Sequence, residues 1–314
     1  MRSLLALLLI AFNAVAQDYP SKPVRLVLPV PPGAGTDAVA RLLGDKLQAR
    51  LGQPFVVEHR AGAGGNLAGE AVFKAPPDGY LLYFGGQGPL VINRNLYGKI
   101  PFDPEALAPI SMIASGLSIL VVNPKVPVST VPQLIAYAKA NPGKLSYASS
   151  GSGTIPHLGA ELLKTLAGVS ILHVPYKGMA PGLADVLGGQ VDMMFAGVAT
   201  AIPQSRDGRI RLLAIGAEKR NAALPDVPTV AETLPGFACE NWFGLLAPPA
   251  TPAAIVARLS SASQEGLRQP ESVRRLADLG FDTVASTPEE LRALMRAETA
   301  RWAKVILATG AKAE

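Results

Sequence analysis

A strand, a glycine turn and a helix follow one another three times in this chain, and that repetition limits the folds open to it. Val24 to Leu28 is a β-rich run that enters Pro31-Pro-Gly-Ala-Gly-Thr-Asp37 and then an apolar-periodic stretch from Ala38 to Leu51. The second copy joins Phe55-Val-Val-Glu58 to a helical stretch through His59-Arg-Ala-Gly-Ala-Gly-Gly65, and the third joins Leu145-Ser-Tyr-Ala148 to another through Ser149-Ser-Gly-Ser-Gly-Thr154. Further β-rich runs at Tyr80 to Phe84, Ile119 to Val122, Ile171 to Val174, Val191 to Phe195 and Ile210 to Ile215 alternate with helical patterns. Such alternation predicts an α/β fold with parallel strands and crossover helices, which binds ligands beyond the carboxyl ends of its strands. The glycine turns lie at those ends. The first turn of a helix has N–H groups without internal partners and about half a positive charge, so each turn offers a site for a small anion such as a carboxylate.

Met1-Arg-Ser3 leads into the apolar run Leu4 to Phe12 and then Ala14-Val-Ala16, the pattern of a secretory signal with cleavage expected after Ala16. The run is far short of the roughly 20 apolar residues of a membrane span. A mature chain from Gln17 would keep 298 of the 314 residues, enough for two domains of about 150 each. Hydrophobic residues make up 49% and charged ones 17%, which excludes a disordered chain. The formal net charge is +5, but Lys and Arg are scattered without a basic stripe, so nucleic acid is not an expected partner. Cys239 is the only cysteine. It excludes a disulfide within the chain and reads as a buried apolar filler.

The last third reads as an outer helical cover, with segments from Pro252 through Leu267, from Glu271 to Leu279 and from Pro288 to about Ala308. No G-x-S-x-G elbow surrounds Ser149, Ser150 or Ser152, the histidines form no H-E-x-x-H, and no Walker A sequence is present. Neither catalysis nor a resident metal or cofactor is expected. One enzyme reading competes. Gly33-Ala-Gly35-Thr-Asp-Ala38 follows a strand, opens a helix and precedes Glu58 by about 20 residues, as a dinucleotide site would require. Two prolines directly before Gly33 remove donors from that turn, and Glu58 leads straight into another glycine turn, so this reading ranks second.

Tyr19-Pro-Ser-Lys-Pro-Val-Arg25, Pro32-Gly-Ala-Gly-Thr-Asp37, Gly62-Ala-Gly-Gly65, Pro77-Asp-Gly-Tyr80, His157-Leu-Gly-Ala-Glu-Leu162, His173-Val-Pro-Tyr-Lys-Gly178, Gly188-Gly-Gln-Val-Asp192 and Leu224-Pro-Asp-Val-Pro-Thr229 follow in order over nearly the whole mature chain. Together they resemble the substrate-binding receptors of tripartite tricarboxylate transporters, often called Bug receptors. The resemblance implies a monomeric periplasmic binding protein of the type II, Venus-flytrap kind, with mostly parallel sheets flanked by helices. It also implies a small organic acid as ligand and a membrane permease as partner. The first lobe is expected at 17–119 and 244–314, after a signal segment at 1–16, and the second at 120–243.

Carried over from that resemblance, the first lobe offers Gly33, Ala34, Gly35, Thr36, Asp37, Gly64, Gly65, Gly85, Gly86 and Gln87. The second offers Ser150, Ser152, Gly153, Thr154, His157, Tyr176, Lys177, Phe195 and Ala196. Structural roles compete for several of these. Asp37 suits support of a helix turn, His157 a hydrogen bond near a helix start, Tyr176 a core position and Lys177 the surface, while His59 and His173 read as structural. The family commonly has three glycines where this chain has Gly33-Ala-Gly35, and Asn where it has His59. Many relatives place an Asp where Ala196 stands, so an amino-acid ligand is not expected. A di- or tricarboxylate or an aromatic acid is.

Overall fold

A computed structural model describes residues 19–33, 35–221 and 224–312. The expected signal segment, its cleavage point after Ala16 and Ala34 of the first turn lie outside the described residues. β1 (Val24–Leu28) is buried at every position but Arg25, as a strand covered on both faces requires. It leads to α1 (Gly35–Leu51), whose Val39, Ala40, Leu42, Leu43 and Leu47 are buried at helical spacing. Gly44 brings α1 close to β2 (Phe55–His59), since an added Cβ would stand 2.9 Å from the Phe55 carbonyl oxygen. α2 (Asn66–Phe73) returns the chain to β3 (Leu81–Gly86), and β1 pairs in parallel with both β2 and β3.

α3 (Asn93–Leu96) precedes β4 (Ala108–Gly116), which passes through Leu117 alone into β5 (Ser118–Val122) of a second sheet. There α4 (Val131–Ala140), β6 (Ser146–Ser149), α5 (Ile155–Ala167), β7 (Leu172–Pro175), α6 (Met179–Gly188), β8 (Met193–Gly197), α7 (Val198–Arg206) and β9 (Arg211–Ile215) follow. The chain re-enters the first sheet as β10 (Asn241–Ala247) and closes with α8 (Ala253–Leu267), α9 (Pro270–Asp278), β11 (Phe281–Thr283) and α10 (Pro288–Thr309). Strand order is β11-β4-β10-β3-β1-β2 in one lobe and β7-β6-β8-β5-β9 in the other. α10 binds both lobes: it packs on β4 and on α5, and its Trp302, Val305 and Ile306 share one buried cluster with Leu158, Leu163 and Phe195.

The two-lobed α/β architecture is the one the sequence implies, but the sheets are mixed rather than mostly parallel. Five of the nine strand pairings are antiparallel, because the strands that carry the chain between lobes run against the βαβ units. Those crossings fall at Leu117 and just before Asn241. The sequence boundaries, after Ile119 and before Gly244, each lie inside a strand.

Candidate functional site

A cleft of about 680 Å³ separates the lobes, and the N-terminal residues of α1, α5 and α7 line it, with Asn93 of α3 and Met179 of α6. Gly35 and Thr36 of α1 face it from the first lobe, Thr154 to Pro156 at the start of α5 and Val198 to Thr200 of α7 from the second. Thr154 makes no capping bond to α5, and α7 is preceded by Gly197, which has no side chain to cap with. Thr130 does cap α4, and Thr287 with Glu290 forms a capping box on α10. A missing cap costs about 1 kcal/mol, and the uncapped first turns line the cleft; in α5 Pro156 brings no N–H and Thr154 N–H is bonded to the Gly151 carbonyl, which leaves that of Ile155. Among the described residues, none with a charged side chain lines it. Helix termini, not Lys or Arg, are therefore what this lining offers to an anion.

The second-lobe turn is closed by its own hydrogen bonds. Gly151 N–H donates to Ser149 Oγ at 3.2 Å, Gly153 N–H to His157 Nδ1 at 2.9 Å, and Thr154 Oγ1 to the Gly151 carbonyl at 2.7 Å. The amide of Gly153, a residue expected at the ligand, is thus bonded within the loop, as is that of Gly151. Ser150, Ser152 and the first turn of α5 stand at the cleft. In the first lobe, Gly33 N–H donates to Asp37 Oδ2 at 3.2 Å, and Gly65 N–H to the Gly62 carbonyl at 2.8 Å. Asp37 is buried and also accepts Arg41 Nε at 3.2 Å, while His59 Nε2 stands 3.3 Å from its other oxygen. Burial raises the Asp37 pKa, but Gly33 N–H and the Arg41 guanidinium outweigh it and hold the carboxyl below the usual carboxylate range.

Of the residues expected at the site, Gly35, Thr36, Gly64, Gly65, Gly86, Gln87, Ser150, Ser152, Gly153, Thr154 and Phe195 line the cleft. Gln87 does so with its main chain, because its side chain donates to the Glu240 carbonyl at 2.7 Å and accepts Trp242 N–H at 3.3 Å. Gly33, Asp37, Gly85, His157, Tyr176, Lys177 and Ala196 stand outside the lining. Gly33, Asp37 and His157 shape the turns, and Gly85 lies buried in β3. Tyr176 Oη donates to Asp185 Oδ2 at 2.5 Å, and burial with that partner pushes its pKa up to about 12. Lys177 is exposed. Ala196 follows the pleat away from Phe195 into the cluster of Ile119, Val121 and Met194. Among the described residues no carboxylate lines the cleft.

Other contributors went unread in the sequence. Phe243 and Phe281 form an edge-to-face wall, 5.1 Å apart at 66°, beside Leu117 of the crossing. The start of α7 was legible in principle, since Phe195-Ala-Gly197 is a fourth strand-glycine-helix junction. Glu58, which a dinucleotide reading needs for ribose, is held by Arg25 at 3.1 Å and Arg60 at 2.5 Å. Cys239 is buried, and that burial pushes its thiol up to about 12.

The family model described as tripartite tricarboxylate transporter family receptor matches residues 39–311. Over 306 residues the chain is 38% identical to Protein BugT of Bordetella pertussis, covering 96% of this chain and 94% of that protein. This chain belongs to that receptor family. Two solved structures are similar to the receptor over nearly all of its length. A protein of R. palustris with adipate is 36% identical at a TM-score of 0.83, covering 94% of this chain and 100% of that one. MatC from Rhodopseudomonas palustris with bound malate is 33% identical at 0.79, covering 92% and 100%. The family is one of periplasmic solute-binding receptors. Among the described residues of this receptor, no helix is long and apolar enough to cross a membrane.

Proposed function

We propose that the receptor captures a small organic carboxylate between its lobes and hands it to a membrane permease, working as a monomer in the periplasm once the segment through Ala16 is removed. The observation that carries this is that the N-termini of α1, α5 and α7 line a cleft to which, among the described residues, no charged side chain contributes. Main-chain N–H groups and the hydroxyls of Thr36, Ser150 and Ser152 suit carboxylate oxygens, which relatives holding adipate and malate also present. The moving bodies are 19–116 with 241–287, and 118–238. A ligand gripped by α1 on one and by α5 and α7 on the other favours the closed form because only closure supplies both sets of donors. Micromolar affinity needs about 8 kcal/mol, within reach of several charge-assisted hydrogen bonds after ordering costs.

Thermal-shift and calorimetric titration with adipate, malate, citrate, benzoate and aspartate tests the reading. At 100 times its dissociation constant a bound acid adds about 2.7 kcal/mol of stability. Stabilisation by an acid without an ammonium group is expected. No response to any of them, or aspartate binding tighter than all the others, would overturn it.

A further inference from the structure

We infer that His157 and His173 tie the shape of the serine-glycine loop, and with it carboxylate affinity, to pH. The affinity half of this rests on the receptor reading above; the loop half does not. Gly153 N–H donates to His157 Nδ1 at 2.9 Å, and that nitrogen can accept only while it carries no proton. A proton there sets two donors against each other in a buried position. His173 lies stacked on His157 at 4.2 Å and 17°, and its Nε2 shares a 2.7 Å hydrogen bond with Ser149 Oγ, the acceptor for Gly151 N–H. Two rings thus hold both glycine amides of a loop whose serines face the cleft.

The charged and titratable surroundings leave one proton to be taken up. Tyr147 stacks on His173 at 4.8 Å and donates to Glu161 Oε1 at 2.6 Å, and Lys164 neutralises Glu161 at 2.5 Å. From the segment before β10, the neutral Cys239 thiol donates to the Ile155 carbonyl at 3.4 Å. On α10, Glu298 and Arg301 pair with one another at 2.9 Å. Two cations 4.2 Å apart repel, so the stacked pair takes up one proton well before a second. Affinity is therefore full above the histidine range, near pH ~6.5 for a free ring, and falls by about tenfold per pH unit below the point where the loop takes up its proton.

The test has a ligand-free arm and a binding arm. In the unliganded protein the Gly153 amide and the His157 ring nitrogens are followed by NMR from pH 8 to 5.5, and both should titrate together. Calorimetry with adipate is then run over the same range on the wild type, His157→Leu and His157→Asn. Asn offers an amide oxygen in place of Nδ1 and does not titrate. His157→Leu should bind about tenfold more weakly at pH 8; His157→Asn should restore most of that and lose the acid-side decline, after subtraction of the ligand's own titration common to both. A Gly153 amide indifferent to pH, or His157→Asn declining in acid as the wild type does, overturns the inference. If adipate binds none of the proteins, the receptor reading loses that acid, and the amide titration alone decides the loop.

Discussion

The Gly33 to Asp37 turn and the Ser149 to Thr154 turn share one design, a strand running through glycines into an open helix, yet they are fastened by opposite chemistries. Asp37 and Arg41 close the first with charge, and His59 Nε2 stands 3.3 Å from the carboxylate. His157, His173 and Ser149 close the second with stacked rings and hydrogen bonds. The surroundings explain the difference. Gly33 is exposed, and the buried Asp37 carboxylate is paired with an Arg41 side chain that is 60% exposed and keeps part of its hydration. Gly153 is buried, pressed by Leu96 of the other lobe, where uncompensated charge would be costly to desolvate. The motif sets the backbone path, and the depth of the site selects what holds it.

The sharpest way to break this comparison is to load a side chain on each turn. Gly153 has φ of 79°, where an L-residue costs about 1–2 kcal/mol, and an added Cβ would overlap Leu96 Cδ2. Gly153→Val should weaken adipate binding by roughly a hundredfold or more by wedging the lobes apart, with Leu96→Ala recovering part of the loss. Calorimetry on the two single variants and the double variant reads this as a coupling across the lobes. Affinity loss unrelieved by Leu96→Ala would show that loop strain alone is responsible.

The first turn, in contrast, should answer in stability. Asp37→Asn keeps an acceptor for Gly33 N–H but loses the attraction for Arg41 and His59, a cost of about 1–2 kcal/mol. The native Asp37 carboxyl lies below its unfolded value, so its contribution is complete above the ordinary carboxylate range and is lost as pH falls through the native value. Between pH 8 and 5 the Asp37 carboxylate stays ionised, so its pairing with Arg41 and Gly33 N–H should hold over that range. Urea unfolding at pH 7 and pH 3 checks it: the gap between wild type and Asp37→Asn should narrow at pH 3. Gly33→Ala is milder. Its φ is 85° but nothing lies within 4 Å of the added Cβ, so about 1 kcal/mol of backbone strain, without a wedge between the lobes, is expected in the same experiment.

How much of this was legible in the sequence follows from where each signal is stored. The βαβ units show because period-2 runs, glycine turns and helical periodicity are local, so β1, β2, β6 and their helices stand within a few residues of where they were read. β4 and β10 did not show. Pro109, Ser111 and Gly116 interrupt the first, Gly244 the second, and both are strands only because they pair with each other across more than a hundred intervening positions. Phe243 reaches the cleft on β10, and Phe281 on β11, which pairs with β4. Gln87 lines the cleft, but where its side chain goes was not legible, since its partners Glu240 and Trp242 arrive at the start of β10.

Tyr176 and Lys177 give the smallest expected effect and the cleanest test of carrying residues over by resemblance. Both follow β7, at the rim where the family pattern suggests ligand contact. Yet the Tyr176 hydroxyl is spent on Asp185 at 2.5 Å, its ring covers Gly182 of α6, and Lys177 is exposed. Tyr176→Phe should cost about 1 kcal/mol of stability from the hydrogen bond to a charged partner, and Lys177→Ala nothing measurable. Adipate affinity should change by less than about twofold in either. A tenfold loss at Lys177→Ala would mean that the bound form draws this side chain over the cleft, and the second lobe would then grip its ligand with a full charge, which would erase the contrast with the neutral loop beside it.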